Sequence, residues 1–388
     1  MFYKHTPVGN RIRYVASDGA DLTGQLQQLF DPFKSIFYDS GTSALAAALV
    51  AAKRSKQCRK PEVILPAYGC PDLLSAAVFA GVKPILVDLE QNRPWMQIDE
   101  IERKANRDTV AIVCVNFLGI PERVEQIRRV AARVNAFVIE DSAQYFPHTR
   151  DHDSWKGDLI VLSLGRGKPV NLLGGGVLLA RDDAIDTFLP KIEKAMDSAK
   201  PKDFKYRLKV LLYNRIISPR LYWILLKVPF LDIGSTVYKP LANIAPLSAA
   251  TKSLLASNIE LYRSDRLDTQ RNLSSILDEL KIDQDKLIDL PRSCELGEGS
   301  KLLRYPLLIA QRERDNLLQV LEEKGLGPSV MYPTTLNCIP NIDDLFAEDS
   351  DTYPHATNFS KRIITLPTHN RITPRDFRQV KLLLSSLS

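Results

Sequence analysis

Cysteine is scarce in this chain of 388 residues. The five present, Cys58, Cys70, Cys114, Cys294 and Cys338, are odd in number and scattered, and no Cys-x-x-Cys pair occurs. That excludes a disulfide framework and the usual zinc spacings, and it points to a reducing compartment. Long apolar runs are missing too: no stretch of 18 apolar residues exists, so no membrane-spanning helix is expected. The opening "MFYKHTPVGNRIRYV" lacks the apolar centre of a secretion signal, and a cytoplasmic location is expected. There is no dense basic tract, and 52 Lys and Arg against 46 Asp and Glu leave a net charge of only +6. A nucleic-acid partner is therefore not expected.

What is present is an alternation of apolar strands and helix-forming stretches. "SIFY" reads as a short strand, and "GTSALAAALVAAKR" (41–54) as a helix starting after Ser40. "EVILPAYGC", "KPILVDLE", "AIVCVNFLG", "AFVIEDSAQ", "DLIVLSLG" and "GGVLLARD" read as further strands, with helices in "PDLLSAAVFAGV" and over 122–134. Continuous apolar strands that alternate with helices predict an α/β fold with a mostly parallel sheet covered on both faces. A single long helical pattern is read from Ser248 toward Leu280. "RYPLLIA", a helix "QRERDNLLQVLEEKG" and a closing helix after Thr373 complete a small α+β region. The expected division is a large domain over 1–250 and a connecting helix with a small C-terminal domain over 251–388.

In a sheet of this kind, ligands bind at the carboxyl ends of the strands, and polar residues gather there. Asp141 follows "FVIE"; Ser163 and Lys168 follow "LIVL"; Ser40, Gly41, Thr42 and Ser43 lie between a strand and a helix start, a natural seat for phosphate. A carboxylate, an amine and a phosphate seat together suggest pyridoxal 5′-phosphate (PLP), with the lysine as Schiff-base former and the acid on the pyridine nitrogen. Taken one at a time these are ordinary features: a solvated lysine, a strand-end acid, a capped helix.

Their order settles on a resemblance. "SGTSALAAAL", "VILPAY", "AGVKPILVDLE", "VIEDSAQ", "SLGRGK" and "GGGVLLA", with "EEKGLGPSVMYPTTLN" and "SKRIITLPTHNRITPRDFRQV" further on, resemble the DegT/StrS family of sugar aminotransferases, a branch of the fold-type I PLP enzymes. The resemblance runs from about Tyr38 to Val380. It implies that Lys168 forms the Schiff base, that Asp141 pairs with the pyridine nitrogen, that Gln144 packs near the ring, and that Gly41, Thr42, Ser43 and Ser163 hold the phosphate. It also implies glutamate as amino donor, a nucleotide-linked keto sugar as acceptor, and a homodimer. Gly174 to Gly176 are expected to turn the chain back against the active-site wall.

Three departures accompany it. The aromatic residue that covers the ring in the family is replaced: read without gaps, Cys70 stands in its place and Tyr68 lies two residues earlier, leaving both as candidates. The "N-Y-R" loop that reaches the partner subunit reads "LANIAPLSAA", with Asn243 alone retained. Residues 203 to 245 are unusually apolar and basic, from which we weigh a packed helix pair, an interfacial element meeting anionic lipid, or a lid. Two other functions stay open: a PLP aminotransferase for a keto acceptor that is not a nucleotide sugar, lipid-linked or from secondary metabolism, and a catalytically inert PLP-fold binding or regulatory protein.

Overall fold

A computed structural model describes residues 3–16, 22–149, 154–181, 185, 187–189, 203–225, 237–340, 342–346 and 351–387. After helix α1 (Leu22–Gln28), strand β1 (Lys34–Tyr38) leads into α2 (Gly41–Lys56), β2 (Glu62–Pro66), α3 (Asp72–Ala80), β3 (Lys83–Val87), α4 (Ile98–Lys104), β4 (Thr109–Val115), α5 (Val124–Arg133), β5 (Phe137–Asp141), β6 (Leu159–Ser163) and β7 (Gly176–Ala180). These strands form one sheet in the order β1-β7-β6-β5-β4-β2-β3. Strand β7 pairs antiparallel with both its neighbours, and the other pairings are parallel. The strands carry apolar residues at both parities because both faces are covered, as expected for a mostly parallel sheet.

One face packs on α2 and α3. Helix α2 lies against it through Ala44, Ala46, Ala47, Ala48, Ala51 and Ala52, all fully buried. Small side chains let the helix backbone approach both the sheet and α3. The opposite face is covered by α4 and α5 over Ile64, Val87, Ile112, Cys114 and Val138, and by Phe30, Phe33, Trp155 and Leu255 over Ile160, Leu162, Val177 and Leu179.

Helices α6 (Asp203–Ile216) and α7 (Pro219–Leu225) follow, and then three helices stand where one was read: α8 (Ala249–Ser253), α9 (Leu255–Ser264) and α10 (Asp268–Leu280). The long helix expected from Ser248 to Leu280 is thus corrected. Leu254 closes α8 and opens α9, and the chain turns extended at Asp265. That turn is held by tertiary polar contacts: Lys301 Nζ reaches the Asp265 carboxylate at 3.0 Å, and His148 Nε2 lies 3.0 Å from its carbonyl oxygen. Apolar periodicity continues through such a break and does not reveal it.

The remaining elements are β8 (Leu287–Asp289), α11 (Leu290–Ser293), β9 (Arg304–Ile309), α12 (Gln311–Glu323), α13 (Pro354–Arg362), β10 (Ile363–Pro367) and α14 (Pro374–Ser385). The three strands form an antiparallel sheet in the order β10-β9-β8. The start of the chain joins the two parts. His5 N–H donates to Gly325 O at 2.8 Å, His369 Nε2 lies 3.0 Å from Thr6 O, and further on Ile12 N–H donates to Asn214 Oδ1 at 2.9 Å. Among the described residues no helix is long and apolar enough to cross a membrane.

Candidate active site

The start of α2 is the first wall of the site. Ser40 caps it, its Oγ accepting from Ser43 N–H at 3.0 Å, and the first turn carries no acid. Cap and macrodipole leave this end electropositive and ready for an anion. Ser163, at the end of β6, presses against it: a Cβ added to Gly41 would lie 2.7 Å from Ser163 Cβ and 2.9 Å from its Oγ. Only glycine admits that approach. The return of the chain to this wall falls at Gly175, where φ is +111° and the N–H donates to Asp39 O at 2.9 Å.

Strand β5 delivers Asp141, 8% exposed. One of its oxygens accepts from Ala143 N–H at 2.9 Å, and no described donor reaches the other. Burial raises its pKa; the Ala143 hydrogen bond and the Lys168 charge oppose that, and Asp72 reinforces it. A buried carboxylate so short of partners is completed by a cation. Lys168 stands on the turn after β6, its N–H bonded to Gly165 O at 3.2 Å, and it faces the same cavity.

That cavity is lined by Gly41, Thr42, Cys70, Asp141, Gln144, Ser163 and Lys168. Seven of the ten residues expected at the site therefore meet in one place. The other three do not line it. Ser43 is buried and spends its hydroxyl on Ser40, 2.9 Å away. Tyr68 is buried behind the wall, its ring packed against Phe117, Tyr332 and Phe359, with its hydroxyl donating to Tyr332 O at 3.2 Å. Asn243 is exposed on the segment before Pro246, outside the cavity. Of the two candidates to cover a ring, Cys70 is the one that reaches the cavity. Burial pushes its thiol up to about 12, so it stays protonated and is no nucleophile.

One residue escaped sequence reasoning altogether. Tyr332, from the loop after α12, enters the cavity beside Gln144, whose Nε2 donates to its hydroxyl at 2.7 Å. The other end of the Gln144 amide accepts from Leu118 N–H at 2.9 Å, so the amide plane is fixed from both sides. Burial holds the pKa of the Tyr332 hydroxyl well above the usual phenol value, and Cys70 beside it reinforces that. The segment "PSVMYPTTLN" offered a signal, since it resembled the family, but nothing local showed that its tyrosine would cross to the large sheet. Glu140, next to Asp141, points elsewhere: it accepts from Asn116 Nδ2 and from the Lys156 and Gly157 N–H groups, at 2.8, 2.8 and 2.9 Å. It ties β5 to the loop before β6 and so steadies Asp141.

The chain is 32% identical over 148 residues to GDP-perosamine synthase of Escherichia coli O157:H7, a match covering 38% of this chain and 40% of that protein. It is 23% identical over 332 residues to a pleiotropic regulatory protein of Geobacillus stearothermophilus, covering 84% and 78% of the two chains. Among solved structures it is similar to NtdA from Bacillus subtilis, solved with bound cofactor PMP, with a TM-score of 0.71 and 18% identity over 96% of this chain and 78% of that one. Residues 22–384 match the DegT/DnrJ/EryC1/StrS aminotransferase family, and the chain belongs to that family.

Proposed function

We propose that the chain transfers the amino group of glutamate to a nucleotide-linked keto sugar, with Lys168 and Asp141 as its catalytic residues. As a member of its family it is a PLP-dependent aminotransferase. The observation that carries the assignment of roles is the meeting of Lys168, Asp141, Ser163 and the α2 N-terminus around one cavity. This donor set fits the cofactor: an electropositive helix start with a hydroxyl for a phosphate dianion, a buried and under-partnered carboxylate for a ring cation, and an amine within the same walls. Bound there, PLP supplies an aldehyde that exchanges amino groups and a cationic ring that withdraws electrons from the carbon losing its proton.

The residues divide the remaining work. The Gly41 and Thr42 end of α2 and the Ser163 hydroxyl bind and orient the phosphate. Asp141 holds the proton on the ring nitrogen. Lys168 Nζ would take the proton from the donor's α-carbon and hold it for return; the donor's amino group would stay with the bound cofactor and 2-oxoglutarate would leave with one water consumed, and the keto acceptor would take the amino group by the reverse transfer with one water released. Gln144, fixed by Leu118 and Tyr332, packs near the ring. A sugar acceptor is favoured by the likeness to a perosamine synthase. Following the family resemblance, we also propose a homodimer in the cytoplasm. The likeness to a regulatory protein favours a second reading, an inert binding protein, which the assembled cavity speaks against.

Borohydride reduction of the holoprotein followed by peptide mapping tests the first reading. The cofactor is expected on Lys168, and glutamate is expected to yield 2-oxoglutarate stoichiometrically in a single turnover that Lys168→Ala abolishes. Reduction that fixes the cofactor to another lysine removes the assignment.

A further inference from the structure

Helix α6 buries one face and leaves the opposite face open. Val210 is fully buried, the Tyr206 hydroxyl donates to Leu172 O at 2.8 Å, and Asn214 exchanges two hydrogen bonds with the Ile12 backbone, each 2.9 Å. Across the helix, Phe204, Leu208, Leu211 and Leu212 are 76%, 54%, 52% and 57% exposed. Their spacing, i, i+4, i+7 and i+8, sets them in one stripe. Leu221 on α7 is exposed as well. Five of the nine exposed large apolar side chains among the described residues therefore lie on these two short helices. Single exposed leucines are ordinary, but a contiguous stripe marks a contact surface.

Beyond Asp203, the first residue of α6, the charges along the two helices are of one sign. Lys205, Arg207, Lys209, Arg215 and Arg220 are all exposed, and the chain has no Asp or Glu from 204 to 231. At 3.6 residues per turn, Lys205 and Arg207 fall on the two flanks of the stripe and Arg215 within it. Among the described residues none of the five pairs with a carboxylate; Arg207 sits over the Tyr14 ring, 5.5 Å from its centre.

We propose that this face docks on an anionic lipid surface. The apolar stripe enters the boundary between headgroups and acyl chains, and the flanking cations meet the lipid phosphates and carboxylates. Charge complementarity selects this occupant over a second copy of the chain, because a two-fold contact through the stripe brings the same cations face to face. With 14 residues in α6, the helix lies on the bilayer and does not cross it. The buried face touches Leu172, four residues beyond Lys168, so the lipid surface lies about one helix diameter, roughly 10 Å, from that loop. Residues 226–236, apolar in sequence with Lys227 and Asp232, lie outside the described residues. The docking does not depend on which reaction the site performs.

Cosedimentation of the full-length holoprotein with phosphatidylcholine vesicles containing phosphatidylserine tests it. Binding is expected at low salt and at least about tenfold weaker binding on phosphatidylcholine alone or at high salt, since the cations then lose their attraction to anionic headgroups. The triple variant Phe204→Ser, Leu208→Ser, Leu212→Ser is expected to lose at least about tenfold in vesicle affinity through lost apolar burial, with its mass in solution and its aminotransferase activity unchanged. Lys205→Glu with Lys209→Glu removes the charge contribution independently. No binding of the wild-type protein to anionic vesicles at low salt overturns the proposal. So does a triple variant that binds as well as the wild type, or one that falls apart into monomers and thereby reveals the stripe as a subunit interface.

Discussion

Replacing Asp141 by asparagine separates charge from shape. The side chain is 8% exposed, and the oxygen that accepts from Ala143 N–H at 2.9 Å is one an asparagine retains. What disappears is a full negative charge opposite the ring cation. Two unit charges about 4 Å apart attract by roughly 4 kcal/mol at an effective dielectric constant near 20. Part of that attraction only holds the resting cofactor. Assigning about 2.7 kcal/mol of it to the barrier predicts a donor half-reaction slowed about a hundredfold. The assay is a single-turnover absorbance measurement with glutamate at saturating PLP, so that weaker cofactor binding does not pass for slower chemistry. The stability of the cofactor-free chain is expected to move the other way. Burial raises the folded pKa of Asp141 above its unfolded value, so its contribution to stability is complete below the ordinary carboxylate pKa near 4 and is lost as pH rises through the raised folded value. At neutral pH the buried charge is a cost that asparagine removes, and Tm is expected to rise. A near-wild-type half-reaction rate refutes the role of Asp141. A slowed reaction accompanied by a lowered cofactor-free Tm refutes the reasoning, because damage to the fold then accounts for both.

Gly41→Ala forces a methyl to within 2.7 Å of Ser163 Cβ, and overpacking of this kind costs about 1–3 kcal/mol; PLP affinity, read by equilibrium titration, is expected to fall about ten- to a hundredfold. Tyr332→Phe removes the acceptor of Gln144 Nε2 and leaves a buried donor unmet at a cost of about 1–3 kcal/mol; kcat is expected to drop about tenfold, and an unchanged kcat counts against Gln144 as a positioned residue. His369 is held down to about 3 by burial, so it stays neutral in the fold, and its contribution is full above pH 6.5 and lost as pH falls from there toward the folded value. Stability is expected to fall by about 1.4 kcal/mol per pH unit from this group alone below pH 6.5, and denaturant midpoints measured between pH 7 and 5 should show a shallower slope in His369→Asn.

The sequence by itself determined the large sheet, because its strands are continuous apolar runs and its first crossing helix, α2, is capped by Ser40 and rich in alanine; β2, β4, β5 and β6, and α2 starting after Ser40, stand within a few residues of where the pattern puts them. It also singled out Asp141, Ser163 and Lys168, because in a parallel sheet every strand end that carries chemistry opens on the same edge, so order along the chain converts directly into proximity. Tertiary structure alone decided the rest. The break at Asp265 depends on Lys301 and His148, which are distant in sequence and leave the apolar period intact. Tyr68 and Cys70 lie two residues apart at the same strand end, and only packing shows that the tyrosine fills the core beside Phe117 and Phe359 while the cysteine reaches the cavity. Tyr332 joins the site from more than 160 residues beyond Lys168 because the loop that carries it packs on the segment after β2, where Leu336 N–H donates to Ala67 O at 2.8 Å. The exposure of Phe204, Leu208, Leu211 and Leu212 is of the same kind. A helix that is apolar on two opposed faces has no single direction of amphipathicity, so its sequence says that both faces avoid water and leaves to the folded body which of them it covers.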